Sequence, residues 1–513
     1  MGALLVWMLL IPAFGIVALY ALPDDRVEKY APRIGLYAGS IVLLLAVIVA
    51  SGFDYGTSKA QAVINWNWVP AIRLRFHLAV DGISLPLVLL TALLTALCFF
   101  YSTRHGPEAD TEGGTRGSNR SYTTLLLLLE IGTVGTFLSA DLLLFFVFFE
   151  IVLLPMYALI AYWGGEGAKA AANKFILYTL LGSALMLVGF LIVAGYTGTF
   201  DIAWLTVHGR SHVPQAAAVT AFALMGIGFA VKTPMFPLHT WLPDAHTAAP
   251  TTGSVLLAGV LLKMGTYGFV RIAVPILPQA AHDFAPALAA FGVAGIVYGS
   301  LACLAIVRRP DGDLKRLIAY SSVGHMGFVL LGIGTLTPIG MNAALFASVA
   351  HGLITGLLFF LVGGLKERRH SAKLDDIGRA LYRKAPKYAT LTAFAALASL
   401  GLPGLAGFWG EILALYAATS PDSGLDQTAY TAMAFVAGVG LILTAAYLLN
   451  VVRRVCMGPA ADAGEIVVPG AELTLVETAA WAPLAFLTLA AGLWPAMVLG
   501  ITDPAVRVLM RGV

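Results

Sequence analysis

Charge is what this chain has least of. Asp, Glu, Lys and Arg make up 12% of its 513 residues, and 59% are hydrophobic; a soluble domain carries about 25% charged residues. So apolar a chain is a polytopic membrane protein, and counting soluble domains by length does not apply. Cysteine is scarce as well. Cys98, Cys303 and Cys456 are far apart, each in or at the end of an apolar run, with no CxxC and no Cys/His cluster. That argues against an iron–sulfur or zinc site. No GxxxxGK[ST] phosphate loop is present, so ATP hydrolysis is not the energy source, and no dinucleotide fingerprint follows a strand. No redox cofactor, no metal and no nucleic-acid partner is expected. Whatever drives this protein comes from a gradient or a partner subunit.

What is present is a short set of ionisable groups inside hydrophobic runs. Lys232 lies in AVTAFALMGIGFAVKTPMF and Lys263 in TGSVLLAGVLLKMGTYGFV; Glu150 lies in LLLFFVFFEIVLLPMYALI and Glu411 in GLPGLAGFWGEILALY. A cation at the middle of a bilayer costs at least ~2.5–3.5 kcal/mol, so it is seldom there without a partner or a pathway. Burial disfavours the charged form of a lysine and a nearby carboxylate restores it, so a Glu–Lys pair can act as a switch. Glu150 and Lys232 are candidate members of such a pair, Lys263 the next acceptor, and Glu411 the far end. Four groups of this kind in one chain point to a proton or ion path.

Apolar runs long enough to span fall near 3–22, 33–52, 81–102, 122–139, 142–163, 173–195, 215–238, 251–274, 286–307, 317–336, 340–365, 388–416, 430–452 and 474–501. These are fourteen spans. The first is too long for a signal-peptide core and is read as retained. The stretch 53–80 is polar and aromatic and reads as an extramembrane, β-like loop. With both termini outside, the inner loops hold 22 Lys and Arg, among them Arg104, Arg116, Lys315, Lys366 and Arg379, while the outer segments hold 7, including Arg271. Such sorting follows the positive-inside rule and supports the span count.

Spans seven and twelve are interrupted, by Lys232-Thr233-Pro234 with Pro237 and by Gly401-Leu402-Pro403-Gly404. Proline removes a helix hydrogen bond and clashes with the carbonyl four residues back, here Ala230 and Ser399. Broken helices in a membrane line polar cavities, although plain proline kinks would look the same. The breaks are five spans apart, an odd number, so spans 4–8 and 9–13 would form two inverted five-helix repeats, the sequence signature of an ion site. The expected organisation is a three-helix segment 1–121, repeats at 122–275 and 286–456, and a C-terminal helix in 457–513.

Histidines suited to relay work lie between the charges, since imidazole titrates near neutrality. His325 sits in SVGHMGFVLLG and His351 in FASVAHGLITGLLFF; His239 and His246 flank the broken seventh span. His246, at a loop, could equally be a structural hydrogen-bonding residue. Glu130 falls within a span, either as a functional group or nearer an interface. Asp81 and Asp141 open their spans and are expected to be solvated. The loop 103–121 is polar and Gly-rich and is assigned no role.

Four motifs together are familiar: DLLLFFVFFEIVLLPMYALIAYWGG (141–165), VKTPMFPLHTWLPDAHTAAPTTGSVLLAGVLLKMGTYGFVR (231–271), LKRLIAYSSVGHMGFVLLG (314–332) and GLPGLAGFWGE (401–411). The chain resembles, over nearly its whole length, the antiporter-like membrane subunits of respiratory complex I, the NADH–quinone oxidoreductase. The second motif is shared with Mrp-type cation/proton antiporters and membrane-bound hydrogenases. Within complex I, Glu411 stands where subunits L and N typically carry Lys and subunit M carries Glu, and the chain stops at Val513 without subunit L's lateral helix; both resemble M. The resemblance implies an all-helical fold and proton translocation across a prokaryotic inner membrane. It implies that Glu150 and Lys232 are the gating pair, that Lys263 is the central carrier, and that His325, His351 and Glu411 continue to the periplasmic side. It also implies antiporter-like neighbours on both sides, lipid contacts, and NADH and quinone bound by other subunits. The rivals are an Mrp-type Na⁺/H⁺ antiporter subunit, a hydrogenase subunit, and a scaffold whose buried charges only fix helix register.

Overall fold

The computed structural model describes residues 1–105, 118–377, 380–457 and 472–512. Arg116, Arg379, Val513 and most of the loop 103–121 lie outside them. Helices α1 (Gly2–Ala21) and α2 (Asp24–Ser51) are followed by a hairpin of β1 (Gln61–Val69) and β2 (Leu74–Val80). Then come α3 (Leu85–Ser102), α4 (Asn119–Leu138), α5 (Leu142–Ile151), α6 (Leu153–Trp163), α7 (Ala168–Thr197), α8 (Ile202–His212), α9 (Gln215–Lys232) and α10 (Trp241–Ala248). Helix α11 (Thr251–Ile276) contains two π-helical stretches, Leu257–Leu261 and Phe269–Ala273. The chain continues through α12 (Pro278–Arg308), α13 (Leu314–Gly334), α14 (Pro338–Arg369), α15 (Pro386–Ser399), α16 (Ala406–Thr419), α17 (Gln427–Cys456), α18 (Leu475–Leu493) and α19 (Ala496–Leu509). Single helical turns at Leu374–Ile377 and Leu381–Lys384 fill the α14–α15 connection.

Thirteen helical segments of the described residues are long and apolar enough to cross a membrane. The one expected span without such a helix is the twelfth, 388–416, which is divided into α15 and α16, 14 residues each and too short to cross singly. Expectation and structure part in several details. The span drawn at 474–501 ends at Leu493, and α19 is a separate helix. The run 142–163 is divided between α5 and α6 around Val152. Residues 53–80 do form an antiparallel hairpin, with Trp66 stacked on Phe76 at 5.8 Å between ring centres.

Asp81 and Asp141 are buried rather than solvated. Each carboxylate accepts amide hydrogens at a helix start: Ile83 and Ser84 for Asp81, Leu143 and Leu144 for Asp141. Asp141 is the N-cap of α5 and satisfies donors that the helix itself leaves open, whereas Asp81 closes the turn just before α3. Arg271, counted among outer cations, turns inward to pair with Asp81 at 3.1 Å. Lys315, counted as a loop residue, is 1% exposed and donates to the Ala249 carbonyl. Length and hydropathy could not reveal this, because Lys315 lies in the first turn of α13 and that turn is covered by the α10–α11 junction.

Two backbone clips have the same form. The Leu142 amide donates to Phe200 and the Ile202 amide to Ala140, so Asp141 bridges to Asp201; the Leu314 amide donates to Ala372 and the Leu374 amide to Gly312, so Asp313 bridges to Lys373. In both, an Asp caps the helix that follows, α5 or α13.

Helices α11 and α14 are the most enclosed spans. They cross at glycine: a Cβ on Gly352 would lie 2.8 Å from the Gly259 carbonyl. Small residues at a membrane helix crossing let backbones approach closely. The crossing lies four residues before Lys263 and one after His351, and so brings those side chains within reach. α1, α2, α7 and α17 instead expose large apolar side chains such as Phe14, Leu177 and Phe435, the surface expected where lipid or another apolar protein face is the solvent.

A candidate proton-conducting axis

The break after α9 is a local rearrangement of hydrogen bonds. Pro234 cannot donate, and the Ala230 carbonyl takes the Met235 amide at 2.9 Å instead. The Val231 carbonyl accepts the Trp241 indole at 3.1 Å. Lys232 is thus the last residue of a helix, buried, with its ammonium 4.8 Å from the centre of the Phe149 ring. That is cation–π distance. Lys232 makes no hydrogen bond, one Glu150 oxygen is likewise buried without a partner, and no direct ion pair joins the two in this conformation.

The second break is built on glycine. Gly401 and Gly404 have φ of +79° and +92°, in the left-handed region open to a residue without a Cβ. Gly401 also makes space, since a Cβ there would lie 2.5 Å from Glu411 Oε2. Glu411 therefore folds its carboxylate against the break. Its Oε1 is 2.9 Å from His325 Nδ1, and His325 Nε2 is 3.0 Å from Ser399 Oγ.

Lys263 sits between the two π-helical stretches of α11, where widened turns displace carbonyls from their usual partners. Its Nζ donates to the Ala258 carbonyl at 2.5 Å and to His351 Nδ1 at 2.6 Å. With Nδ1 as acceptor, the neutral ring of His351 carries its proton on Nε2, which has no protein partner. The rings of His351 and His325 are 5.8 Å apart, edge to face. Between them a cavity of about 20 Å³ is lined by both histidines, Ser399 and Glu411. Such a volume accepts a single water. Lys263, His351, His325 and Glu411 therefore form one line, two short contacts with a water-sized step between them.

His239 and His246 are placed otherwise. His239 is buried among Phe236, Tyr298 and Tyr320, with Nδ1 unpaired. His246 is not at a loose loop: it is fully buried in α10, stacked on Phe359 at 4.5 Å, with neither ring nitrogen hydrogen-bonded. Glu130 is buried in α4 with both oxygens unpaired. Sequence reasoning missed Ser399 as the partner of His325, and it missed Thr233 and Thr266. Both threonine hydroxyls are buried without partners, one beside Lys232 and one a turn past Lys263. The helices carrying them touch, for a Cβ on Gly265 would run into Thr233 Oγ1. The position of Thr233 inside the break was the one readable hint.

Residues 139–439 match the family described as NADH:quinone oxidoreductase/Mrp antiporter, transmembrane. The chain belongs to that family. It is 42% identical over 459 residues to chain 4 of the NAD(P)H-quinone oxidoreductase of a Synechococcus, covering 89% of this chain and 82% of that one. It is 36% identical over 494 residues to subunit M of the NADH-quinone oxidoreductase of Rickettsia prowazekii, covering 96% and 95%. Its fold superposes on a chain of respiratory complex I from Thermus thermophilus with TM-score 0.85 and 28% identity over 99% of both. The resemblance read from the motifs is confirmed, and the protein is a multi-pass, antiporter-like membrane subunit.

Proposed function

We propose that this chain is a proton-translocating membrane-arm subunit of an NADH–quinone oxidoreductase, moving protons along Glu150, Lys232, Lys263, His351, His325 and Glu411 while partner subunits carry out electron transfer from NADH to quinone. The observation that carries this reading is the 2.6 Å contact of Lys263 with His351, facing the His325–Glu411 pair across a water-sized cavity. When Lys263 passes a proton to Nδ1, the ring releases one from Nε2 toward the cavity. A water there can hand it to Glu411 or His325, and the ring resets by turning or by tautomer exchange. Glu150 gates the chain by its approach to Lys232: with the carboxylate near, the ammonium is favoured; with it withdrawn, as in this conformation, the proton is readier to leave. His239 lies beside the first break as a candidate for proton delivery.

The two matching clips support a repeat of two units, 122–275 and 286–456, between flanking segments 1–121 and 457–513. They precede spans five and ten, so five crossings place them on opposite faces, as inversion requires. The Lys and Arg bias supports both termini outside, and the bacterial relatives support a prokaryotic inner membrane.

The test uses inverted membrane vesicles carrying Lys263→Met at wild-type expression, with NADH-driven quinone reduction and interior acidification recorded together. Loss of both in an assembled complex supports the proposal. If both persist while Na⁺ tolerance of the cells is lost, the chain serves an Mrp-type antiporter. If neither changes, the buried charges are a scaffold.

A further inference from the structure

Helix α8 joins spans α7 and α9 and, at 11 residues, is too short to cross a bilayer. It carries three rings at intervals of four, Trp204, His208 and His212, a spacing that puts them on one helix face. His208 stacks on the Trp204 indole at 4.6 Å between ring centres, and His212 lies 5.2 Å from the same indole. The two imidazole centres are 6.2 Å apart. His208 is half-buried and His212 exposed. Neither histidine belongs to the proton axis.

Each ring is oriented by its own backbone. His208 Nδ1 lies 3.0 Å from the Trp204 carbonyl and His212 Nδ1 lies 2.9 Å from the His208 carbonyl, with Ser211 Oγ 3.1 Å from the latter nitrogen. A carbonyl only accepts, so Nδ1 carries the proton in both neutral rings and Nε2 keeps its lone pair. Neither Nε2 meets a protein partner among the described residues. An Nδ1–H held by a carbonyl, with Nε2 free, is the form in which imidazole ligates a metal. The pair also stands in the second half of α8, toward a helix end whose open carbonyls favour a cation. A metal ion bonded to two Nε2 atoms at ~2.0–2.1 Å holds the ring centres about 5 Å apart, so exposed His212 closes the clamp by swinging about 1 Å.

We propose that His208 and His212 form a bidentate site for a divalent transition-metal ion of the zinc and copper kind, with water on its remaining positions. Imidazole suits these ions, whereas Mg²⁺ and Ca²⁺ take oxygen ligands. No third His, Cys, Asp or Glu joins the pair among the described residues, so the ion exchanges with solution instead of being locked in. The site opens on the face that the Lys and Arg bias assigns to the outside, and it rests on that reading only for its side of the membrane. Gly209, between the two ligands, is where α8 packs on the end of α11: a Cβ there would lie 2.6 Å from the Ile276 carbonyl. An ion bridging residues 208 and 212 clamps the turn that seats on the helix carrying Lys263.

The experiment uses the purified, tag-free complex containing this chain, washed with a mild chelator and titrated with Cu²⁺ and, separately, with Zn²⁺. Wild type is compared with His208→Asn, His212→Asn and the double variant. Wild type should retain one equivalent more than any variant, or bind at least about tenfold tighter, since losing a ligand costs no less than losing a group that orients one. The three variants should behave alike, because one imidazole left alone does not chelate; stepwise, additive losses would mean two independent histidines and refute the clamp. The Cu²⁺ electron paramagnetic resonance difference between wild type and the double variant should show two imidazole nitrogens. Binding should weaken as pH falls, because protons compete for Nε2. Modification by diethyl pyrocarbonate, read by mass spectrometry, should slow under Zn²⁺ at His208 and His212 and not at exposed His370. Equal retention by wild type and all variants, or modification that Zn²⁺ leaves unchanged, overturns the proposal. Because no arm involves NADH or proton movement, failure here is separate from failure of the pumping assignment.

Discussion

Replacing Gly401 by alanine should disable the axis, while the same change at Gly404 should not. Both glycines have a left-handed backbone, so alanine strains either by ~1–2 kcal/mol. Their surroundings differ. The new Cβ at 401 would lie 2.5 Å from Glu411 Oε2, whereas at 404 its nearest neighbour is Leu493 Cδ2 at 3.8 Å. Only in the first case must the carboxylate withdraw, stretching its 2.9 Å contact with His325. A hydrogen bond to a charged group contributes ~1.5–3 kcal/mol, and each ~1.4 kcal/mol is tenfold in rate. NADH-driven acidification of inverted vesicles should therefore fall about ten- to a hundredfold in Gly401→Ala and stay near wild type in Gly404→Ala, with assembly checked on native gels. Equal loss in the two variants would mean that backbone strain, and not the position of Glu411, explains the defect. Wild-type pumping by Gly401→Ala would refute the reasoning outright.

Three further outcomes are expected. Thr266→Val, alone or with Thr233→Val, should slow NADH-driven pumping by about a hundredfold if the hydroxyls pass protons between Lys232 and Lys263, yet raise thermal stability, because an unpaired buried hydroxyl costs ~1–3 kcal/mol; lowered stability with normal pumping would show a purely structural role. Arg368→Met strands Glu477, which is 0% exposed and receives bonds of 2.6 and 2.7 Å from that guanidinium. The thermal stability of the complex should drop by ~3–5 kcal/mol and recover largely when Glu477→Met is added; no recovery would place the loss elsewhere. Burial pushes the His105 ring's pKa down, but contact with Glu367 outweighs this and lifts it above the ordinary 6.5. The stabilisation from that contact is then complete below about pH 6.5 and fades as pH rises through the raised value. Hydrogen exchange at residues 101–105, corrected for intrinsic rate, should accelerate above neutrality in wild type and lose that dependence in Glu367→Gln; an unchanged profile would exclude the contact as its source.

What could be read in advance follows from which forces are local. Spans are legible because a bilayer demands about twenty apolar residues in sequence, and both breaks because Pro234 and the 401–404 run disrupt the helix that contains them. The lysines stood out because hydrocarbon penalises charge wherever the chain leads. Depth at a span's end is another matter. Lys315 and Arg271 have the composition of loop residues, and only the α10–α11 junction and Asp81, distant in sequence, take them out of water. Partner identity is equally non-local: His351 meets Lys263 across 88 residues because two glycines let α11 and α14 approach. Nor does composition reveal π-helical turns, since the sequence of 257–261 reads as ordinary helix; the widened turn becomes meaningful only when Lys263 is found donating to the Ala258 carbonyl. The same logic explains the absent Glu150–Lys232 ion pair. Sequence can specify that two groups share a depth, but a switch must also hold them apart in some state, and Phe149 supplies Lys232 with an alternative resting place. A pair locked together by a short salt bridge would fix one protonation state; a carboxylate free to approach and an ammonium held on a ring leave both states within reach.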